Sequence, residues 1–125
     1  FIKPRNYEML LFGEVLGEIP DPFPFWHSSQ IKDPGLNLAK YENKKADILL
    51  ETARVSLNEA TRAKKYQDFQ NILIADAPGV FLYRPDYVYF VDKKIKGGLE
   101  TGMIVDPSKR FANIENWYTN QKRTW

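Results

Sequence analysis

"ENKKADILLETARVSLNEATRAKKYQDFQNILIADAP", Glu42 to Pro78, is the stretch on which the fold is read. Ala46, Leu49, Leu50, Ala53 and Leu57 recur three or four apart, which puts them on one face of a helix of about four turns. Lys45, Asp47, Glu51 and Arg54 fall on the other face. Asn43 suits the N-cap, where a short side-chain oxygen accepts an orphan backbone N–H. Asn58 starts a second helix almost at once. Its stripe is Ala63, Tyr66, Phe69, Leu73 and Ala77, and Pro78 forbids continuation. Two amphipathic helices with a tight joint predict an αα-hairpin. The second helix is expected to cover a sheet, with Arg62, Lys64 and Lys65 on a solvated face.

Outward from the hairpin the pattern changes to that of strands. In "NYEMLLFGEVLG", Asn6 to Gly17, the nearly continuous apolar run Tyr7–Phe12 reads as a strand stopped by Gly13. A strand without clean alternation is usually covered on both faces, as in parallel or mixed sheets. After the hairpin, Val80–Tyr83 and Tyr87–Val91 are β-branched and aromatic, separated by the bend Arg84-Pro85-Asp86. Gly97-Gly98 closes that region. In the tail, Phe111, Ile114, Trp117 and Tyr118 form either one short helix face or an irregular apolar edge. The order strand, loop, hairpin, strands points to an α/β (α+β) architecture.

Between the first strand and the hairpin lies "EIPDPFPFWHSSQ", Glu18 to Gln30, with three prolines, three aromatics and the chain's one histidine. Proline removes a backbone donor, fixes φ and pushes its predecessor toward extended geometry, so neither a helix nor an inner strand is expected here. Irregular sequence continues to about Tyr41. Loops of that length are functional or disordered, and the rings argue against disorder.

Composition narrows the function. With 125 residues, 43% hydrophobic and 14% aromatic, the chain is built to fold as one domain. Eighteen basic and 16 acidic residues leave a net charge of +2, too balanced for an electrostatic footprint on nucleic acid or an anionic membrane. The absence of cysteine excludes a disulfide frame and a thiolate metal site. No apolar run approaches the ~20 residues of a membrane span. Phe1 stands where a methionine would start a gene product, which reads as a piece of something longer.

Enzyme signatures are missing: there is no glycine-rich phosphate loop, no GxSxG elbow and no histidine pair at metal spacing. No cofactor is expected. His27, beside Trp26 and Ser28, lacks a positioned nucleophile and reads as a hydrogen-bonding loop residue. Glu14, Glu18 and Asp21 follow the predicted strand, where open α/β sheets bind ligands. Carboxylates there can hold an ammonium by charge-assisted hydrogen bonds, or they are plain turn residues, Asp21 opening a turn at Asp-Pro. Phe25 and Trp26 either plug the loop onto its own domain or wall a pocket. Tyr83, Tyr87 and Tyr89 lack the basic groove that single-strand binders pair with stacking rings, and read as packing residues.

The series "DPFPFWHSSQ", "NKKADILLETAR", "RAKKYQDFQNILIADAPGVFLYRPDYVYFVDKKIKG" and "RFANIENWYTNQKR" resembles, in order and over nearly the whole chain, the C-terminal part of bacterial family 5 extracellular solute-binding proteins. These are the oligopeptide- and dipeptide-binding receptors of ABC importers. The resemblance implies a periplasmic-binding-protein type II fold whose two lobes close on a ligand. Residues 1–92 would end the second lobe, and 93–125 would cross back toward the first, with Gly97-Gly98 near a hinge or in a plain turn. In peptide-binding members an aspartate just before the position matching Asp21-Pro22 takes the peptide's α-amino group. Here Glu18 stands there, with Glu14 nearby.

The expected ligand-binding residues are therefore Glu14, Glu18, Asp21, Trp26 and His27. The stiff loop would hold them ordered at the cleft mouth, which lowers the entropy lost on capture. The expected ligand is a peptide, a sugar oligomer or a metal complex. The expected partners are the importer's permease and the receptor's remaining lobe, in an extracytoplasmic setting. Apolar surface around Phe111, Trp117 and Tyr118, left without that lobe, would favour self-association. Two other readings compete: a stand-alone αα-hairpin that binds a protein partner, and a hydrolase using Glu14, Glu18 and Asp21 as paired carboxylates.

Overall fold

The computed structural model describes residues 1–15, 21–97 and 107–120. The chain divides into two units, Phe1–Leu82 and Tyr83–Trp125.

The first unit is helical. A single turn, α1 (Phe23–Trp26), is followed by a 3-10 turn at Ser28–Gln30, then α2 (Lys44–Arg54) and α3 (Glu59–Asp76). The predicted hairpin is present with its predicted caps. The Asn43 side chain accepts from the N–H groups of Lys45 and Ala46 at 2.9 and 3.3 Å, and Asn58 accepts from Thr61 N–H at 2.9 Å. Ala77 ends α3 in the left-handed region (φ 48°, ψ 49°), donating its N–H to Leu73 O at 3.0 Å. Pro78 then prevents another turn.

Tyr41, Ala46, Leu50, Phe69 and Leu73 form the core between the two long helices, with Leu49, Tyr66, Ile72, Phe23 and Trp26 packed around it. The burying stripe is shorter than the periodicity implies. Leu57 is 100% exposed, and Ala63 and Ala77 are open as well. α2 stops at Arg54, so Leu57 lies in the joint rather than on the helix face.

Polar contacts close the open end of the hairpin. Asp76 Oδ2, at the end of α3, accepts from the Tyr41 hydroxyl and from Asn43 Nδ2, both at 2.7 Å. These bonds, Tyr41 first, hold the Asp76 carboxyl below its ordinary value. A depressed carboxylate contributes stability that is complete above its unfolded-state value of about 4 and is lost as pH falls through the lower folded value. Asp76→Asn should therefore flatten the pH dependence of the unfolding midpoint between pH 2 and 4 and leave its slope unchanged above pH 5. An unaltered acid limb would show that the contact carries no linkage.

The second unit is sparse. β1 (Ile95–Lys96) pairs antiparallel with β2 (Tyr118–Thr119), Ile95 opposite Thr119 and Lys96 opposite Tyr118. Gly97 leaves β1 at φ +86°, where a Cβ would lie 1.8 Å from Asn116 O, so only glycine fits. The tail settles as 3-10 turns at Pro107–Phe111 and Ile114–Asn116 followed by β2, rather than one helix face. Arg110 donates to the Tyr87 hydroxyl at 2.8 Å and lies 4.4 Å from the centre of the Phe111 ring, which tilts onto Trp117 at 5.8 Å. Gly98 lies outside the described residues.

The mixed helix-and-sheet class holds, while the three predicted strands differ. Tyr7–Phe12, Val80–Tyr83 and Tyr87–Val91 are outside regular structure, and among the described residues their backbones form no backbone–backbone hydrogen bonds. Most of their apolar side chains are exposed, Met9 at 91% and Phe90 at 96%. A strand exists only through the ladder it shares with a neighbour, whereas composition reports only suitability for a pleated, covered surface.

Candidate functional site

The proline-rich segment is folded down onto α2. Asp21 Oδ1 accepts the Phe23 N–H at 3.2 Å, capping α1 from just outside Pro22. The segment thus holds one helical turn where its prolines led none to be expected: Pro22 and Pro24 fit because a single turn leaves its first N–H groups unpaired. His27 turns the chain out of helical geometry at ψ 140°.

Three side chains of α2 grip this turn. Asp47 accepts the Ser28 N–H at 3.0 Å and the Ser28 hydroxyl at 2.7 Å. Glu51 Oε1 lies 3.2 Å from His27 Nε2, with Asp47 Oδ1 at 3.8 Å. Arg54 Nε lies 3.1 Å from Asp21 Oδ2, and its guanidinium sits 4.4 Å from the centre of the Phe23 ring. Phe23 in turn stacks on His27, 4.1 Å between centroids and 21° between planes. Positions 47, 51 and 54 are four and three apart, so they share one helical face.

The same geometry assigns the tautomer of the buried His27 ring. Its Nδ1 accepts the Ser29 backbone N–H at 3.1 Å, and an amide nitrogen can only donate. The proton of the neutral ring is therefore on Nε2, donated to Glu51. Trp26, half-buried, meets the Tyr41 ring edge-on at 6.2 Å and tilts onto Phe81 at 5.8 Å.

Residues 27–41 are fastened from two further sides. Asn37, fully buried, donates through Nδ2 to the carbonyls of His27 (3.1 Å) and Tyr41 (2.8 Å), and its Oδ1 accepts the Tyr41 N–H at 3.0 Å. Arg5 donates to the carbonyls of Ile2, Ile31 and Gly35, and the Tyr7 hydroxyl donates to Leu38 O at 2.6 Å. Gly35 admits no side chain, since a Cβ would stand 2.2 Å from Gln30 O.

Of the five predicted ligand residues, Asp21, Trp26 and His27 lie together at this turn, each already engaged within the unit. Glu14 is exposed, and among the described residues no hydrogen bond or ion pair joins it to them. Desolvation raises its carboxyl above the ordinary range. Glu18 lies outside the described residues. A shallow depression of about 310 Å³ beside the turn is lined by Ser28, Ser29, Ile31, Lys32 and Glu42 and contains none of the five. Among the described residues no three His, Asp or Glu side chains converge as metal ligands. Sequence reading missed Arg5, Asn37, Asp47, Glu51 and Arg54 as the fasteners. The spacing of 47, 51 and 54 was the available signal, but a solvated helix face has the same spacing.

No family model matches the chain. Curated relatives do. It is 29% identical over 119 residues to the oligopeptide-binding protein AppA of Bacillus subtilis (strain 168), covering 94% of this chain and 21% of that protein. It is 34% identical over 102 residues to the probable D,D-dipeptide-binding periplasmic protein DdpA of Escherichia coli (strain K12), covering 79% of this chain and 20% of that protein. The solved structure of AppA in complex with a nonapeptide superposes with a TM-score of 0.56 at 29% identity, covering 82% of this chain and 19% of that one. Helical hairpin and fastened loop are thus a piece of a periplasmic-binding-protein fold. More particularly, the chain corresponds to a portion of a family 5 extracellular solute-binding protein. It spans about a fifth of the length of the curated relatives it matches.

Proposed function

We propose that this chain is a C-terminal portion of the substrate-binding component of an ABC importer, which captures peptides or similar small solutes outside the cytoplasmic membrane and delivers them to the permease. The observation that carries this reading is the match to an oligopeptide-binding protein along 94% of the chain, joined to a superposition on its peptide-bound structure. On this reading residues 1–92 end one lobe and 93–125 run back toward the other. The strand-like segments 7–12, 80–83 and 87–91 receive their ladder partners from the rest of the receptor. The chain works by binding and not by catalysis.

Within the site, Glu14 and Glu18 are the acids that meet the positive end of a ligand. Asp21, Trp26 and His27 form the lip beside them. Their internal contacts support this division, because a turn already held by Asp47, Glu51 and Arg54 loses little further freedom when a ligand arrives.

Calorimetry on the full-length receptor tests the reading. Peptides of two to nine residues should bind, and acetylating their amino terminus should weaken binding at least tenfold. The isolated 125-residue chain should bind the same peptides weakly or not at all. A full-length receptor that takes no peptide overturns the reading, and micromolar binding by the isolated chain overturns its two-lobed form.

A further inference from the structure

Among the described residues, Trp117 alone has a buried side-chain polar atom without a hydrogen-bond partner: its indole Nε1 is closed off from water and donates to nothing. Folded proteins leave few such groups, because an indole N–H can only donate and gives up its bond to water on burial. Local contacts hold the residue in this position. The Trp117 backbone N–H donates to Ile114 O at 3.1 Å, closing the 3-10 turn before it. The ring tilts onto Phe111 at 5.8 Å, and Arg110, bonded to Pro107 O at 2.9 Å, holds its guanidinium 4.4 Å from the centre of the Phe111 ring. The flanking apolar side chains Phe111, Ile114 and Tyr118 are all exposed.

Resting on the reading of the chain as a portion of a larger receptor, we infer that Phe111, Ile114, Trp117 and Tyr118 are the surface on which the second unit seats against the remainder of the same polypeptide, and that this remainder brings a carbonyl or carboxylate oxygen to Trp117 Nε1. The chain spans about a fifth of the length of its curated relatives, so most of such a protein lies outside these residues and is covalently joined to them. A permease or a second copy comes and goes, and would leave the indole N–H unpaired whenever it left. A partner in the same polypeptide is present in every molecule. Burying the rings supplies the non-directional attraction, and the single N–H fixes the orientation. Trp117 is half-buried, so the arriving oxygen reaches Nε1 by a shift of its neighbours and not by unfolding of the tail.

The test places the photo-crosslinking amino acid benzoylphenylalanine at position 117 of the full-length receptor and maps the linked peptides by mass spectrometry. Links should run within one polypeptide to residues outside the 125 described by this sequence. Positions 114 and 118, both exposed, take the same probe should the position-117 variant fail to fold. In the unsubstituted receptor the Trp117 indole N–H, assigned by its loss in W117F, should exchange with deuterium roughly tenfold or more slowly than in the 125-residue chain alone, as a buried donor does on gaining an acceptor.

Links confined to the 125 residues, or made to a permease or a second copy, overturn this inference and leave peptide capture standing. Equal exchange in the two forms overturns it as well. A receptor with internal links that takes no peptide overturns the proposed function and leaves this surface in place.

Discussion

Asn37→Ala should be among the most damaging single changes in the first unit, lowering its stability by about 3–5 kcal/mol. The side chain satisfies two carbonyls and one amide in a place with no access to water. Alanine leaves all three groups buried and unpaired, and each such group costs about 1–3 kcal/mol. The losses fall short of additive because the loop can relax toward solvent. For a unit of this size, with a urea dependence near 1 kcal/mol/M, the midpoint followed by helical circular dichroism should drop by several molar, or the transition should vanish. A drop below about 0.5 M would mean that Asn37 reports the loop's fold without holding it.

Phe69→Ala should have an effect of similar size from a different cause. Phe69 is 2% exposed and, with Leu73 of the same helix, packs into the core with Leu50 and Tyr41. Removing the ring forfeits its transfer free energy and leaves a cavity that two helices joined by a short turn cannot fully close. The expected loss is about 3–5 kcal/mol. Leu57→Ala is the matched control, since Leu57 is fully exposed and its loss should fall within about 0.5 kcal/mol. Equal effects at the two positions would place the hairpin's core elsewhere.

The contrast between Phe69 and Leu57 shows where the amino-acid pattern is informative. Helix existence, both asparagine caps and the stop at Pro78 follow from local chemistry, so they could be read in advance. Helix length depends on whether the next turn has something to cover. α2 ends at Arg54, and Leu57 beyond it is fully exposed. The segments 7–12, 80–83 and 87–91 have strand composition, but pairing is non-local and the residues that supply it are not named by a strand's own side chains. The small β1–β2 pair was not anticipated for the same reason, since its two-residue strands carry no period at all.

At the site, the ring-rich loop and its acids stood out in the sequence, and His27 emerged as the hydrogen-bonding residue it reads as. What the pattern could not convey was that the partners come from α2. Asp47, Glu51 and Arg54 look like any charged helix face, and only the fold decides whether such a face meets water or a neighbouring backbone. Asn37 and Arg5 were silent for a related reason. A single polar residue in an irregular stretch carries no periodicity, and its burial is a property of everything around it.

The grip of α2 on the turn at Asp21–Ser28 has a bearing on protein engineering. Solubility redesign commonly recolours helix surfaces, exchanging acidic and basic residues as though they were interchangeable. On α2 the outward-facing Lys45 tolerates such exchange, whereas lysine at 47 or 51 would remove the acceptors of Ser28 and His27, and glutamate at 54 would set a carboxylate against Asp21, loosening the ring-bearing turn from its support.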